Sequence, residues 1–390
     1  MTFLWATIFV LGVLIFVHEL GHFIAARSVG IRVDRFSIGF PPRFISITSI
    51  SDGWNFRVYF YKNEGGKLIW GPVYERQIQR MGRAESGTEY VLALIPLGGY
   101  VKMAGMIDES MDTHVTDAPY EFMSKPTWAK IWVLCAGVIM NLITAFIIFS
   151  GIAYVQGKAD ILDEPIVSEV RNDMPAKEAG ILSGDRITAI DGSTINTWKE
   201  LTNVIHKIPN TPISLTIERG ENKFNISLIT TSMIVPNSDK MMDTLGAIGI
   251  VPQIIYSDIF WDEALSAGVV ATFNSVGMII MSLQMLTTGA ASVSDLGGPI
   301  MIAQLAGQTA NEGWIPLLSF MALISVNLAF LNILPIPGLD GGHIFIILIE
   351  SIIRRPLTLK ARMVIQQIGM TFLLILMVTV VFNDITRLFN

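Results

Sequence analysis

Two histidines four residues apart with a glutamate between them, His18-Glu19-Leu20-Gly21-His22, are the residues of this chain best suited to chemistry. On a helix, positions i and i+4 share a face, so both imidazoles reach one zinc ion while the glutamate serves as general base toward a water. The run lies near the end of an almost wholly apolar N-terminal stretch. Ionisable groups are costly in a bilayer, roughly 2.5–3.5 kcal/mol for an Asp at mid-helix on insertion scales, so groups kept there are candidates for function. The pattern points to metal-assisted peptide hydrolysis within a membrane.

A catalytic zinc takes three protein ligands and leaves one position open. Asp340 is the expected third ligand, within Asn332-Ile333-Leu334-Pro335-Ile336-Pro337-Gly338-Leu339-Asp340-Gly341-Gly342. Two prolines and three glycines break a helix there, and exposed backbone at membrane depth is tolerated only where it is buried in protein or lines a wet cavity. At 1.5 Å per residue His18 lies about 25 Å along the first helix, and Asp340 a comparable distance along a span entered near Trp314. His343 competes as third ligand; its other reading is a residue beside the metal or on the substrate path.

The elements that must position these groups follow from the rest of the chain. Its 390 residues are 51% hydrophobic and 15% charged, with a mean hydropathy of +0.53, which suits a polytopic membrane protein with soluble insertions. The net charge of −6 says less than where the positive charges lie. A single cysteine, Cys135, excludes an intramolecular disulfide. Residues 1–17 lack a cationic start and a small-residue cleavage site, and read as a retained span rather than a signal peptide.

Four apolar stretches, residues 2–26, 129–155, 315–334 and 363–382, are long enough to cross a bilayer. Basic residues gather after the first (Arg27, Arg32, Arg35, Arg43, Arg57, Lys62, Lys67, Arg76, Arg80, Arg83) and before the last (Arg354, Arg355, Lys360, Arg362). The positive-inside rule makes both loops cytoplasmic, and the N-terminus, the middle region and the C-terminus external. A fifth candidate, residues 269–286, is interrupted by Thr272, Asn274, Ser275, Ser282 and Gln284 and reads as an amphipathic helix on the outer surface.

Residues 158–232 read as a small α+β domain, with strands at 166–170, 213–218 and 225–229 and a helix at 198–206. Gly184-Asp185 and Asp191-Gly192 bracket a short apolar strand. The run Ala179-Gly180-Ile181 to Asp191-Gly192 resembles bacterial PDZ domains, which bind peptides by adding a strand to a sheet edge; the alternative is a β-domain without a ligand. The expected division is thus a membrane region at 1–157, the PDZ-like domain at 158–232, a connecting segment with the external helix at 233–313 and a second membrane region at 314–390.

Three longer runs, FVHELGHFIAAR, GTEYVLALIPLGGYVKMAG and NILPIPGLDGGH, resemble the site-2 family of intramembrane zinc metalloproteases, in particular the bacterial regulator of sigma E protease group. ALISVNLAFLNILPIPGLDGG and SDLGGPIMIA extend the likeness. The resemblance implies that His18, His22 and Asp340 bind zinc, that Glu19 activates the attacking water, and that Asn332, with Asn327 as a further contributor, hydrogen-bonds the substrate backbone. Both asparagines have an alternative as helix-packing residues. The resemblance further implies a membrane-reentrant β-hairpin over residues 92–102, bent at Pro96 and Gly98-Gly99, whose exposed edge, with Gly98, Gly99 and Tyr100, would hold an unwound substrate extended. Residues 49–86 depart from the compact family pattern, with alternating Trp54, Phe56, Val58 and Phe60 suggesting an added hairpin. One PDZ-like domain stands where that group often carries two.

The expected fold is therefore a polytopic α-helical membrane protein of about four spans, with the reentrant hairpin and one inserted PDZ-like domain. The expected function is zinc-dependent intramembrane cleavage of single-span proteins in the bacterial cytoplasmic membrane, with anti-sigma factors or leftover signal peptides as substrates. The PDZ-like domain would be external and open to a peptide or protein ligand; besides substrates and the bilayer no nucleic-acid partner is implied. Two rivals are a silent PDZ-containing membrane adaptor, which has no need of all four of His18, Glu19, His22 and Asp340, and a transporter, which lacks here the paired repeats common in that class.

Overall fold

The computed structural model describes residues 2–65, 67–79, 87–106, 116–236, 242–290, 292 and 297–389. Arg80, Arg83, His114 and residues 294–296 of the SDLGGPIMIA run lie outside them. The chain divides into two compact units, one of residues 1–152 with 262–390, the other Ala153–Trp261.

The first unit contains helices α1 (Thr2–Ser28) and α2 (Thr127–Gln156), and between them strands β1 (Val33–Ile50), β2 (Gly53–Glu64), β3 (Lys67–Gln79) and β4 (Glu89–Met103). The second contains β5 (Lys158–Ile161), β6 (Val167–Val170), α3 (Pro175–Glu178), β7 (Arg186–Ile190), β8 (Ser193–Thr194), α4 (Trp198–His206), β9 (Pro212–Arg219), β10 (Asn222–Ile229), β11 (Thr231–Pro236), β12 (Met242–Ala247), β13 (Ile250–Pro252) and β14 (Ile254–Ser257). The first unit then resumes with α5 (Trp261–Thr288), α6 (Pro299–Glu312), α7 (Trp314–Ile333), α8 (Asp340–Ile353) and α9 (Leu359–Phe389).

Among the described residues five helices, α1, α2, α5, α7 and α9, are long and apolar enough to cross a membrane by length and composition alone: the four stretches expected to span, and α5, expected to lie on the outer surface. Its polar residues were read as interruptions, yet Thr272, Ser275 and Ser282 turn their hydroxyls back onto the Gly268, Ala271 and Met278 carbonyls at 2.8–2.9 Å. A hydroxyl satisfied within its own helix leaves an apolar helix intact, so α5 runs 28 residues instead of the expected eighteen. Its Val276 and Ile279 pack against Ala145 of α2 and Ala322 and Val326 of α7.

The four-stranded sheet has the order β3-β2-β1-β4. The hairpin expected over 92–102 is not a separate two-stranded unit. β1 and β4 form one long antiparallel ladder, from Val33 opposite Met103 to Thr48 opposite Glu89, and the ladder folds over on itself near Gly39 and Ala93–Ile95. Arg35, Phe36, Ser37 and Ile38 therefore have two partners each: Lys102, Val101, Tyr100 and Gly99 on one side, and Glu89, Tyr90, Val91 and Leu92, advancing in step, on the other. Residues 99–102 form the edge of the sheet; no described strand pairs with their outer side.

Alternation along the strands gives this sheet one apolar face, of Phe36, Ile38, Ile45, Ile47, Tyr90 and Leu92, carried onto β2 and β3 by Phe56, Val58, Phe60, Tyr74 and Ile78. The opposite face is polar: Arg35 and Arg43 bond Glu89 at 2.7 and 3.0 Å, and Asn55 and Arg57 converge on Glu75. Toward β2 and β3 the apolar face is exposed, while parts of the polar face are covered. Phe60 is 57% and Ile78 54% exposed on the apolar face, while Ser46 and Asn55 on the polar face are 0% and 5% exposed.

The second unit packs Ile187, Leu215 and Ile217 with Trp198, Leu201 and Ile205 of α4 into one core, with β9 and β10 paired from Pro212 opposite Ile229 to Arg219 opposite Asn222. It extends past the expected end at 232. β13 pairs with β6 and β14 with β5, returning the chain to strands some 80–95 residues earlier, a pairing that local pattern does not announce.

Candidate zinc site

The H-E-x-x-H run lies in α1, one turn separating its two buried imidazoles. A glycine at position 21 lets α2 approach: a Cβ there would stand 2.5 Å from the Ala136 carbonyl oxygen. α2 runs antiparallel beside it, so Val133 meets His22 and Asn141 meets His18. His22 Nδ1 donates to the Val133 carbonyl at 2.8 Å, which leaves Nε2 as the bare, ligating nitrogen.

α7 ends at Ile333, the chain turns through Pro335, Pro337 and Gly338, and α8 begins at Asp340 itself. The break puts the carboxylate at a helix start, aimed back at α1. His18 Nε2, His22 Nε2 and Asp340 Oδ2 stand 3.1, 3.2 and 3.3 Å from one another. Zinc with bonds of about 2.0–2.1 Å at tetrahedral angles separates its ligand atoms by roughly 3.3 Å. Two nitrogens and a carboxylate oxygen in that triangle fit zinc, and among the described residues they are the one histidine, cysteine and carboxylate group gathered closely enough for a metal. His343 is not in the triangle.

These groups line a cavity of about 540 Å³ with Ile15, Glu19, Arg35, Phe40, Tyr100, Asn332 and His343. The sheet edge passes directly alongside: a Cβ on Gly99 would lie 3.4 Å from Glu19 Cγ, and the Val101 amide faces the Glu19 carboxylate. Tyr100 Oη accepts from the Arg35 guanidinium at 3.1 Å. Asn332 Nδ2 lies 3.3 Å from His18 Nε2.

Of the residues expected at the site, His18, Glu19, His22, Asp340, Asn332, Gly99 and Tyr100 meet at this cavity. Gly98 and Asn327 do not line it; at Gly98 the absent side chain makes room for the Phe40 ring. Sequence reasoning missed Val133, Gly137 and Asn141. A Cβ on Gly137 would stand 2.5 Å from His22 Nε2 and 2.6 Å from His18 Cε1, so the imidazoles fill the space its side chain would take. An asparagine inside an apolar span was the available signal.

The sequence matches Peptidase family M50 over residues 6–71 and 76–376. A protein of Agrobacterium fabrum named, provisionally, a zinc metalloprotease is 32% identical over 98% of this chain and 95% of its own length. The zinc metalloprotease RasP of Bacillus licheniformis is 28% identical (98% of this chain, 99% of that one). The regulator of sigma-W protease RasP of Bacillus subtilis is 26% identical, with 98% of both chains covered. Among solved structures, PDZ domains of SdrC-like proteins from Listeria monocytogenes and Listeria innocua are similar at 22% and 25% identity. They cover 24% and 25% of this chain and 90% and 100% of theirs, each with a TM-score of 0.19. A metal-fitting triangle on apolar helices and a family match along nearly the whole chain agree: this chain belongs to peptidase family M50, the site-2 proteases, and is a membrane zinc metalloprotease.

Proposed function

We propose that the enzyme is an endopeptidase acting within the bacterial cytoplasmic membrane, cutting single-span proteins in or near their spans after an earlier cleavage has shortened them. The observation that carries this reading is the juxtaposition of three elements in one cavity: the His18–His22–Asp340 triangle, Glu19, and the sheet edge at residues 99–101, beyond which no described strand lies. Zinc held by the triangle supplies Lewis-acid polarisation of a carbonyl and acidification of water.

The chain's own residues do the rest. A helical peptide bond is shielded from a nucleophile, so the substrate must be extended first; the outer side of residues 99–101 offers it a strand to pair with. Glu19, beside that strand, takes the proton of the attacking water and delivers it to the leaving amine. Asn332 stands where its amide can hydrogen-bond a substrate carbonyl or the charge that develops on it. The exposed apolar face of the sheet supports a reentrant position against lipid, and the basic residues around it support a cytoplasmic side.

A relative named regulator of sigma-W protease supports anti-sigma factors as a substrate class, with remnant signal peptides as the second. The unit at 153–261 is then an external, PDZ-like adaptor or gate that takes a peptide and excludes substrates whose outer domain is intact.

Cleavage of a tagged single-span substrate by the purified protein in detergent, with Glu19→Gln alongside, tests the reading. Wild-type cleavage that Glu19→Gln abolishes while zinc is retained supports it. Equal cleavage by both proteins sinks the role of Glu19.

A further inference from the structure

The α2 helix meets the two imidazoles along one stripe of positions four apart, Val133, Gly137 and Asn141. The Val133 carbonyl fixes His22, Gly137 makes room for both rings, and the Asn141 side-chain amide lies 3.3 Å from His18 Nδ1. Asn141 is completely buried, and with its nitrogen toward the ring its carbonyl oxygen Oδ1 has no partner. The α2 backbone here is held in place by Ser325 of α7, whose hydroxyl donates to the Asn141 main-chain oxygen at 2.7 Å.

A neutral imidazole carries one proton on its two nitrogens. His18 Nε2 faces Asp340 Oδ2 and His22 Nε2 at 3.2 and 3.1 Å, and to ligate a metal it must be bare, which puts the proton on Nδ1. An amide NH2 group facing Nδ1–H would set donor against donor. A half-turn of the amide sets oxygen against that N–H. We propose that Asn141 is a positioning residue: its Oδ1 accepts from His18 Nδ1–H and so holds the tautomer and ring orientation that present Nε2 to zinc. The main-chain oxygen of Val133 does for His22 what this side chain does for His18. The inference rests on His18 being a zinc ligand.

The test uses the full-length protein in detergent and does not read cleavage. Zinc affinity is measured by competition with a chromophoric chelator, the absorption spectrum is recorded with cobalt substituted for zinc, and metal-free thermal unfolding is followed in parallel. Partners that orient a ligating histidine typically contribute about 10–100-fold to metal affinity. Asn141→Leu, similar in size without an acceptor, should lose that much and shift the cobalt bands, with its metal-free melting temperature unchanged. Asn141→Asp keeps an acceptor and should recover most of the affinity. Zinc binding by Asn141→Leu as tight as wild type overturns the proposal. So does an equal loss in both variants that tracks lost metal-free stability, which would mark a packing asparagine. A wild type that binds no zinc overturns the ligand assignment itself, and this inference with it.

Discussion

At the scale of single residues the site is a problem of space as much as of ligands. His18 and His22 present Nε2 atoms 3.1 Å apart, with rings nearly perpendicular at 85° and centroids 4.7 Å apart. That geometry holds only because position 137 has no side chain. Gly137→Ala should therefore displace both rings, although alanine is otherwise the residue a helix favours most. The expected result is sub-stoichiometric zinc by atomic emission and a fall in cleavage of about 100-fold, the scale of a 1 Å misplacement of reacting groups. Full zinc occupancy in Gly137→Ala would show that the rings need no such room. The H-E-x-x-H run was legible because its meaning lies in a five-residue window on one helix face. The role of Gly137 was not, because it exists only once α2 lies against α1.

At the scale of elements the folded-over ladder of β1 and β4 decides what the active site can grip. Its edge, residues 99–102, runs past Glu19 with one side paired to β1 and the other free of any described strand. Val101→Pro deletes the outward amide, which also faces Glu19, and proline is tolerated on edge strands whose N–H faces away from the sheet. That variant should keep its zinc and lose about tenfold in kcat/KM, the worth of one hydrogen bond of roughly 1.4 kcal/mol. Unchanged kcat/KM would exclude this edge as the substrate's partner. The pattern around Pro96 and Gly98-Gly99 announced a bend, and Trp54, Phe56, Val58 and Phe60 announced an added strand. Neither announced that Glu89–Leu92 would lie beside Arg35–Ile38. In the same way the sequence did not announce that the hydroxyls of Thr272, Ser275 and Ser282 in α5 would bond carbonyls of the preceding turn.

At the scale of the whole molecule two tests bear on where each unit works and what holds it. In a Cys135→Ser background, a membrane-impermeant maleimide should label Lys223→Cys on intact cells and Lys67→Cys only after permeabilisation. The reverse would invert the topology drawn from the basic loops. The second unit should also carry its own acid sensitivity. Asp185 is completely buried; burial alone would raise its pKa, but the Arg219 guanidinium at 2.7 and 2.8 Å and the Leu182 amide at 2.9 Å hold it below the usual carboxylate value. A carboxyl with a depressed folded pKa contributes stability above its unfolded pKa, near 4, and loses it as pH falls through the folded value. Protection of β7 and β9 in the full chain, measured as hydrogen exchange corrected for its intrinsic pH dependence, should therefore fall below about pH 4. In Asp185→Asn protection should be lower at neutral pH, with most of that dependence gone. An equally steep acid response in Asp185→Asn would assign the sensitivity to other carboxylates.

Residue type and short-range spacing alone marked out the paired histidines, the glutamate between them, the carboxylate on a broken helix, four of the five long apolar helices and the core strands of the second unit. Each is written within a window of about 5 to 25 residues, where helical and strand periodicity act. Tertiary structure alone decided that Asp340 and not His343 closes the triangle, that a backbone carbonyl and an asparagine of α2 address the imidazoles, and that a sheet edge runs past Glu19. The two contacts from α2 join positions 111 and 123 residues apart. Contacts at such separations are set by how helices pack and ladders fold, which no local period encodes.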